Sequence, residues 1–247
     1  MNATEPMLVV RDATKTFGGV HALDRVSFTL SAGEVLALAG DNGAGKSTLI
    51  KIISGVHQAD GGSVFFEGRQ MQFSNPREAR DVGIETIYQD LSLVENLDVP
   101  ANIFLGREKM RRALGIFPVI DRPAMRAASE IVLKSLDIHT NLHRPVRDLS
   151  GGQRQAVAIG RAIYWNARLL IMDEPTAALG VPEQRKVIEL IRRLRDKGVA
   201  ILFISHNLGD IFSIADRIIV LRRGISAGER LARETNGDEI VRLMVGA

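Results

Sequence analysis

Short apolar runs and longer amphipathic segments alternate along the chain, and their spacing predicts strands separated by helices. The apolar or alternating runs predict strands at Leu8–Val10, Val26–Leu30, Val35–Ala39, Ser63–Phe66, Glu85–Tyr88, Leu169–Met172, Ala200–Ser205 and Arg217–Leu221. The segments with helical spacing, several of which begin at a proline or a capping residue, predict helices at Lys46–Ser54, Pro76–Asp81, Pro123–Leu136, Gly152–Trp165, Pro182–Lys197, Leu208–Ala215 and Gly237–Val245.

The order of these elements predicts an α/β fold. Leu169–Met172 and Ala200–Ile204 are almost wholly apolar, which is typical of a parallel sheet covered on both faces. The early strands, with a turn at Asp60–Gly62, indicate an antiparallel sheet at the edge. No strand is predicted in Gln89–Leu149, where a helical run accompanies an irregular loop, Gly106–Asp121. This stretch predicts a helical subdomain inserted between strands of the sheet.

Composition narrows the class of protein. The chain has 247 residues, 45% hydrophobic and 25% charged, which is typical of a globular domain that buries its own core. A net charge of only +3 argues against a dedicated nucleic-acid binder. The absence of cysteine excludes disulfides, thiolate catalysis and thiolate metal sites. Since no run of about 18 apolar residues occurs, and Met1–Pro6 does not resemble a signal peptide, we expect a chain that does not enter a membrane unaided.

The strongest chemical motif lies between the strand Val35–Ala39 and the helix that follows. Gly40–Ser47 matches the phosphate-binding pattern Gly-x-x-x-x-Gly-Lys-Ser/Thr. Its glycines let backbone N–H groups converge on phosphate oxygens, and the positive end of the helix points at the same anion. Lys46 is expected to reach the β and γ phosphates, and the Ser47 hydroxyl is expected to bind Mg²⁺.

A second motif consists of two carboxylates at the end of an apolar strand. Asp173 and Glu174 follow Leu169–Met172 directly, which places them at the carboxyl edge of the sheet beside the phosphate loop. There Asp173 can hold the Mg²⁺ shell. Glu174 can orient and polarise the water that attacks the γ phosphate, a contribution of about 10² to 10⁴ in rate.

A third motif predicts that two chains cooperate. Leu149–Gln153 opens a helix, so its backbone amides and the Ser150 hydroxyl form a second anion site at a helix N-terminus. One nucleotide needs only one phosphate loop. The second anion site has a use if two chains pack head to tail and each presents this segment to the γ phosphate held by the other.

Taken together, these motifs resemble the nucleotide-binding subunit of an ABC transporter, in the same order and over nearly the whole chain. The resemblance implies an α/β P-loop cassette with a mostly parallel core sheet, an N-terminal antiparallel β subdomain and an inserted α-helical subdomain. It further implies one ATP-binding domain over 1–247, in which 1–88 and 166–247 form the core with the antiparallel sheet, and about 89–165 form the helical part.

The resemblance also implies a set of site residues and two cofactors, ATP and Mg²⁺. The residues implied to bind ATP are Phe17, which would stack on adenine, and Gly40, Asp41, Asn42, Gly43, Ala44, Gly45, Lys46, Ser47 and Thr48. Those implied in catalysis are Glu174, His206 and Gln89, and those implied at the metal are Ser47, Gln89 and Asp173. The signature that acts on the other chain comprises Leu149, Ser150, Gly151, Gly152 and Gln153.

Several of these residues have a simpler interpretation that the sequence leaves open. Phe17 can pack in the core or on an edge strand, Gln89 can be a solvated loop residue, and His206 can be a structural hydrogen-bonding residue. The basic residues of the irregular loop can be solvated or can contact a permease or lipid head groups. They are Arg107, Lys109, Arg111 and Arg112.

Within the family, the amino-acid sequence is similar to those of ATPases of monosaccharide importers, and to single-cassette fructose-type subunits in particular. Gly180 replaces the aspartate that most of the family carries after the second motif, and Gly83–Gln89 and Asn102–Glu108 agree with the sugar branch. The resemblance implies a homodimer that drives permease subunits at the cytoplasmic face of the inner membrane, with an extracytoplasmic sugar-binding protein as indirect partner. The alternatives are a soluble ABC-type ATPase acting on DNA or ribosomes, and an ATP-gated regulatory module.

Overall fold

A computed structural model describes residues 6–113 and 116–246. Its strands, in chain order, are β1 (Leu8–Phe17), β2 (Val20–Leu30), β3 (Val35–Ala39), β4 (Gly61–Phe66), β5 (Arg69–Met71), β6 (Ile84–Ile87), β7 (Met110–Ala113), β8 (Phe117–Ile120), β9 (Leu169–Asp173), β10 (Ala200–Ile204), β11 (Arg217–Arg222) and β12 (Ile225–Leu231). The helices are α1 (Lys46–Ile53), α2 (Pro76–Asp81), α3 (Val99–Ile103), α4 (Arg122–Ser135), α5 (Gly151–Tyr164), α6 (Val181–Asp196), α7 (Leu208–Ile214) and α8 (Gly237–Val245).

The central sheet has the strand order β12-β11-β3-β10-β9-β6. Strands β11, β3, β10, β9 and β6 run parallel, and only β12 pairs antiparallel, with β11. The carboxyl ends of five parallel strands therefore meet at one edge of the sheet. Among the described residues, no helix is both long and apolar enough to span a membrane.

Both faces of the central sheet are covered, as the continuous apolar strands predict. On β3, Leu36 and Leu38 pack into a core shared with the antiparallel sheet and α1. The alternate residues Val35 and Ala37 pack into a second core, which includes residues of α5, α6 and α7. The antiparallel sheet has the order β2-β1-β4-β5 and lies at the N-terminal part of the chain. This architecture confirms the predicted α/β class.

Helices α3, α4 and α5 follow one another between β6 and β9, as the predicted helical insertion requires. The prediction of an irregular loop over Gly106–Asp121 is wrong, because β7 and β8 form an antiparallel hairpin there. Its side chains are mostly exposed on both faces, so the sequence shows no alternation that would mark a strand. Leu114 and Gly115 of that loop lie outside the described residues.

The other differences arise where strands are irregular or lie at an edge. The turn predicted at Asp60–Gly62 is wrong for Gly61 and Gly62, which belong to β4. Gly62 has φ 84° beside a register shift against β1, and a glycine required by such a bulge resembles a turn residue in sequence. The strand β12 was not predicted, since it is an edge strand that has no fully buried residue and contains a glycine.

Candidate functional site

The predicted catalytic and phosphate-binding residues converge because their strands are neighbours. The phosphate loop follows β3, His206 lies shortly after β10, Asp173 ends β9, and Gln89 lies shortly after β6. Since β3, β10, β9 and β6 are adjacent and parallel, these segments share one edge of the sheet. They line a cavity of about 840 Å³. The residues that were predicted from the sequence as site residues and that line this cavity are Gly40, Asp41, Asn42, Gly43, Ala44, Gly45, Lys46, Ser47, Thr48, Gln89, Asp173, Glu174 and His206.

Two glycines of the phosphate loop are required by close approaches of the backbone. Gly40 has φ 151°, and a Cβ atom there would lie 2.4 Å from the carbonyl oxygen of Leu221. Gly45, the N-cap of α1, has φ 105°, and a Cβ atom there would lie 2.6 Å from the carbonyl oxygen of Ala22. Side chains at either position would push the loop away from β11 or β2. The loop is therefore held in a fixed conformation by both sheets.

Lys46 folds back over the loop that carries it. Its Nζ atom donates to the carbonyl oxygens of Gly40 at 2.6 Å and Asp41 at 2.9 Å. Burial lowers the pKa of the Lys46 ammonium, while the nearby Glu174 and Asp173 carboxylates oppose that shift. The ammonium thus occupies a partly desolvated place where an arriving phosphate would be a stronger partner than the two carbonyl groups.

Asp173 is destabilised in its charged form. Burial raises the pKa of the Asp173 carboxyl, the negative charge of Glu174 raises it further, and Lys46 lowers it. Two carboxylates and one ammonium leave an excess of negative charge at the carboxyl end of β9. A cation bound beside Asp173 would remove this repulsion.

Glu174 and His206 are in direct contact. The Glu174 Oε1 atom lies 2.8 Å from His206 Nδ1 and accepts a hydrogen bond from the His206 backbone N–H at 3.0 Å. Glu174 itself has φ 53°, a left-handed conformation that is uncommon outside glycine, and its N–H donates to the carbonyl oxygen of Ile204 at 2.9 Å. Strain of this kind is concentrated at functional sites. The carboxylate of Glu174 is consequently aimed into the cavity by two neighbouring strands.

The chemistry of the donors suits a magnesium ion. Ser47 offers a hydroxyl oxygen, Gln89 an amide oxygen and Asp173 a carboxylate, and all three line the cavity. Mg²⁺ prefers oxygen ligands, usually one or two from carboxylates together with substrate phosphates. The residues present therefore fit this ion.

Phe17 is not among the residues that line the cavity. It ends β1, is 45% exposed and makes an edge contact with the ring of His57. Its cross-strand partner Val20 does line the cavity. Five lining residues belong to none of the sequence motifs, and they are Val20, His21, Ala22, Arg223 and Met244. Arg223-Gly224 is compatible with a two-residue hairpin turn after a strand, but no local pattern indicates that any of the five lies beside the cavity.

The signature residues lie outside the cavity of their own chain. Ser150 is the N-cap of α5, its Oγ accepts a hydrogen bond from the Gln153 N–H at 3.3 Å, and the Gln153 side chain accepts from the Ser150 N–H at 2.9 Å. Leu149 is buried, whereas Ser150 is exposed. A Cβ atom at Gly151 would lie 2.7 Å from Leu179 Cδ2, so this glycine lets α5 approach the segment after β9.

Comparisons with known proteins agree with this geometry. The family model described as ABC transporter matches residues 23–177. The chain is 50% identical over 239 residues to the xylose/arabinose import ATP-binding protein of Sulfolobus acidocaldarius, covering 96% of this chain and 93% of that protein. It is 49% identical over 228 residues to the fructose import ATP-binding protein of Rhizobium meliloti, covering 90% and 87%.

A ribose import ATP-binding protein of Rubrobacter xylanophilus is 47% identical over 241 residues, but the chain spans only 47% of its length. Among solved structures, an ATP-binding cassette of an ABC transporter superposes with a TM-score of 0.85 at 28% identity, covering 97% of this chain and 99% of that one. A dimeric cassette in a post-hydrolysis state with ADP and Pi superposes with a TM-score of 0.76 at 25% identity, covering 92% and 99%. Because the family model matches more than half of the chain and two relatives of about half identity are covered over most of their length, the chain belongs to the ABC transporter family of ATP-binding cassettes.

Proposed function

We propose that the chain is the ATP-hydrolysing motor subunit of an importer of monosaccharides. The observation that carries the proposal is the convergence of the phosphate loop, Gln89, Asp173, Glu174 and His206 on one cavity. The sugar class rests on the relatives at 50% and 49% identity, which are named import ATP-binding proteins for xylose or arabinose and for fructose.

In the proposed mechanism, the phosphate loop and Lys46 bind the triphosphate of ATP. Backbone N–H groups of Gly45–Thr48 at the start of α1 would face the anion, and Lys46 would exchange its two carbonyl partners for the β and γ phosphates. Ser47, Gln89 and Asp173 would hold Mg²⁺, which neutralises charge on the phosphate oxygens when bound. The adenine base would stack against Phe17 at the end of β1, beside the cavity wall formed by Val20.

Glu174 acts on the water that attacks the γ phosphate. Its carboxylate accepts a hydrogen bond from that water and so fixes the position of the attacking oxygen. His206, held against Glu174 Oε1 at 2.8 Å, keeps the carboxylate in place and faces the γ phosphate from β10. Attack forms a bond between the water oxygen and the γ phosphorus as a proton of that water passes to the Glu174 carboxylate. The bond from the γ phosphorus to the bridging oxygen breaks, which leaves ADP and inorganic phosphate, and the proton returns from Glu174 to the solvent or the phosphate.

A second chain completes the site. The Ser150 hydroxyl accepts from Gln153, so its own hydrogen remains available to a phosphate oxygen of the partner's nucleotide. Two chains arranged head to tail would enclose two ATP molecules. Loss of the γ phosphate removes the anion that joins both chains, and the dimer reopens.

The opening and closing would reach a permease through a groove of about 430 Å³ beside β6, which includes Glu85, Leu105, Arg161 and Trp165 in its lining. Arg161 of α5 donates to the carbonyl oxygens of Leu91 and Ser92 at 3.2 and 3.1 Å. This contact ties the signature helix to the segment directly after Gln89. Movement of α5 is therefore transmitted both to the site and to the groove.

These features favour a peripheral subunit at the cytoplasmic face of the inner membrane, bound to permease subunits. An extracytoplasmic sugar-binding protein would deliver the sugar to that permease. The rival functions, an ATPase of DNA or ribosomes and a regulatory module without turnover, gain no specific support from the site.

Affinity purification of the tagged chain from detergent-solubilised membranes tests the partner. We expect a polytopic permease and a sugar-binding protein, identified by mass spectrometry. Leu105→Glu places a charge in the groove, so the permease should no longer be recovered with the tagged variant. Ile131→Glu is the matched control, because Ile131 is also an exposed apolar residue but does not line the groove. Recovery of ribosomal or DNA-repair proteins with no permease would contradict the proposal.

A further inference from the structure

A cationic side chain outside the known motifs also lines the nucleotide cavity. Arg223 lies in the turn between β11 and β12, and the only arginine or lysine residues of the described cavity lining are Lys46 and Arg223. In the part of the chain that the structure describes, Arg223 forms no ion pair, whereas Arg217 and Arg230 on the flanking strands each bind a carboxylate. The guanidinium is thus free to bind an anion in the cavity.

The backbone of this turn does not favour an arginine. Arg222 pairs with Ile225, which leaves Arg223 and Gly224 as a two-residue hairpin loop. Both have positive φ, 48° and 82°, as in a type I′ turn, for which Asn-Gly and Asp-Gly are the preferred sequences. Local preference therefore does not explain why position 223 carries a long cationic side chain, and such conflicts are expected at functional sites.

The turn is held against the phosphate loop. The Gly224 N–H donates to the carbonyl oxygen of Ala44 at 3.0 Å, and the Gly224 carbonyl oxygen accepts from the Asp24 N–H at 2.8 Å. Its position relative to the phosphate loop is consequently fixed by both β2 and the loop itself. Arg223 is attached to a rigid support rather than to a free loop.

The order of the strands decides which end of the nucleotide Arg223 faces. Strand β11 pairs with one side of β3, and β10 pairs with the other side. Glu174 and His206, which mark the γ phosphate in the proposed function, belong to the β10 and β9 side. Arg223 therefore faces the opposite end of the triphosphate, on the side where Gly224 adjoins the backbone of His21 and Ala22.

We propose that Arg223 is a further nucleotide-binding residue that contacts the α phosphate. The inference rests on the proposed function, since it requires that this cavity binds ATP. An arginine can donate two parallel hydrogen bonds to phosphate oxygens, and Lys46 already serves the β and γ phosphates from the other side. Because ATP and ADP both carry the α phosphate, the contact strengthens binding of both and does not contribute to the chemical step.

The test is the variant Arg223→Asn, which removes the cation and supplies a residue that the turn prefers. We expect the KM for ATP to rise about tenfold, the dissociation constant for ADP to rise by a similar factor, and kcat to stay unchanged. The melting temperature should not fall. Arg223→Lys should recover part of the affinity. Arg25→Asn is the matched control, since Arg25 also has positive φ, 51°, but pairs with Asp24 and does not line the cavity.

Unchanged ATP and ADP affinity in a folded Arg223→Asn protein would overturn the inference, and so would an equal loss in Arg25→Asn. A fall in kcat at unchanged KM would also overturn it, because that result places the residue in the chemical step. Lys46→Ala separates this inference from the proposed function. If the wild-type protein binds no more ATP than Lys46→Ala, the proposed ATP site itself is wrong.

Discussion

At the scale of single residues, the nucleotide-free site is destabilised by its own charges. The pKa of Asp173 is raised by burial and by Glu174, and the pKa of Lys46 is lowered by burial. Both shifts mean that the folded chain holds these groups in charge states less favourable than in water. Functional sites often carry such a cost, which the bound ligands relieve.

We therefore predict that Asp173→Asn raises the melting temperature of the nucleotide-free chain at pH 7. A folded-state pKa above 3.8 means that the folded chain binds the proton more tightly than the unfolded chain does. The Asp173 contribution to the unfolding free energy therefore falls as the pH rises from 3.8 through the folded pKa, and the cost is complete above the folded pKa. Each kcal/mol of relieved repulsion corresponds to roughly 2 to 4 °C.

Scanning calorimetry of both proteins without nucleotide, at pH 7 and pH 4, measures this effect. The difference between them should be smaller at the lower pH, because protonation of Asp173 removes the cost of its charged form. The same variant should lose Mg²⁺-dependent hydrolysis. A melting temperature at pH 7 below that of the wild-type protein would contradict the assigned repulsion.

At the scale of elements, the N-terminal end of α5 can bind an anion but lies outside the cavity of its own chain. Ser150 caps this helix and is exposed, yet none of Leu149–Gln153 lines the cavity formed by β3, β9 and β10. In the proposed dimer, the N-terminal end of α5 would bind a nucleotide held by a second chain. The proposal of a shared site can therefore be tested by mixing defective chains.

Ser150→Phe should destroy the signature, and Lys46→Ala should destroy the phosphate loop, so each variant alone is inactive. An equal mixture forms mixed dimers in which one site has an intact phosphate loop and an intact signature. If the sites act independently, phosphate release should return to roughly a quarter of the wild-type rate. Loss of the Ser150 cap should lower the free energy of unfolding by about 1 kcal/mol, which is too little to unfold the chain. Circular dichroism of the Ser150→Phe variant can verify that the fold is intact. A mixture no more active than its parts would contradict the shared site.

The elements also show what the sequence can and cannot predict. Buried strands such as β3 and β10 were predicted correctly, because continuous apolar runs bounded by glycine or a polar residue have few alternative structures. The β7–β8 hairpin and β12 were missed because exposed or edge strands lack a buried face that would impose alternation. Strand β1 was predicted too short, since register shifts after Val10 break its two-residue period.

The same limit applies to the site. Lys46, Asp173 and Glu174 could be predicted from local patterns, because each motif fixes a residue type next to a strand end. Arg223 and Met244 reach the cavity only through the tertiary packing of β11 and α8, which leaves no local pattern. Phe17 shows the converse, since the family resemblance implies a role for it in binding adenine but its side chain does not line the cavity.

At the scale of the whole molecule, the chain is an ATP-binding cassette, and the proposed function gives it a groove for a permease and two active sites shared with a second chain. Its net charge of +3 and its apolar core are those of an ordinary globular domain. In the proposed function, the transported substrate and the direction of transport are therefore determined by the proteins that the chain binds. The account is that hydrolysis at Glu174 drives a permease that imports a monosaccharide.

The most direct test is sugar uptake by the purified complex in proteoliposomes with ATP on the side of the cassette. Labelled xylose, arabinose, ribose and fructose are offered in turn, with wild-type chain or with Glu174→Gln. We predict ATP-dependent uptake of at least one sugar by the wild-type complex. Glu174→Gln should bind ATP but hydrolyse it about 10² to 10⁴ times more slowly and support no uptake. Uptake by Glu174→Gln at the wild-type rate, or rapid hydrolysis by the wild-type complex without uptake of any of these sugars, would contradict the account.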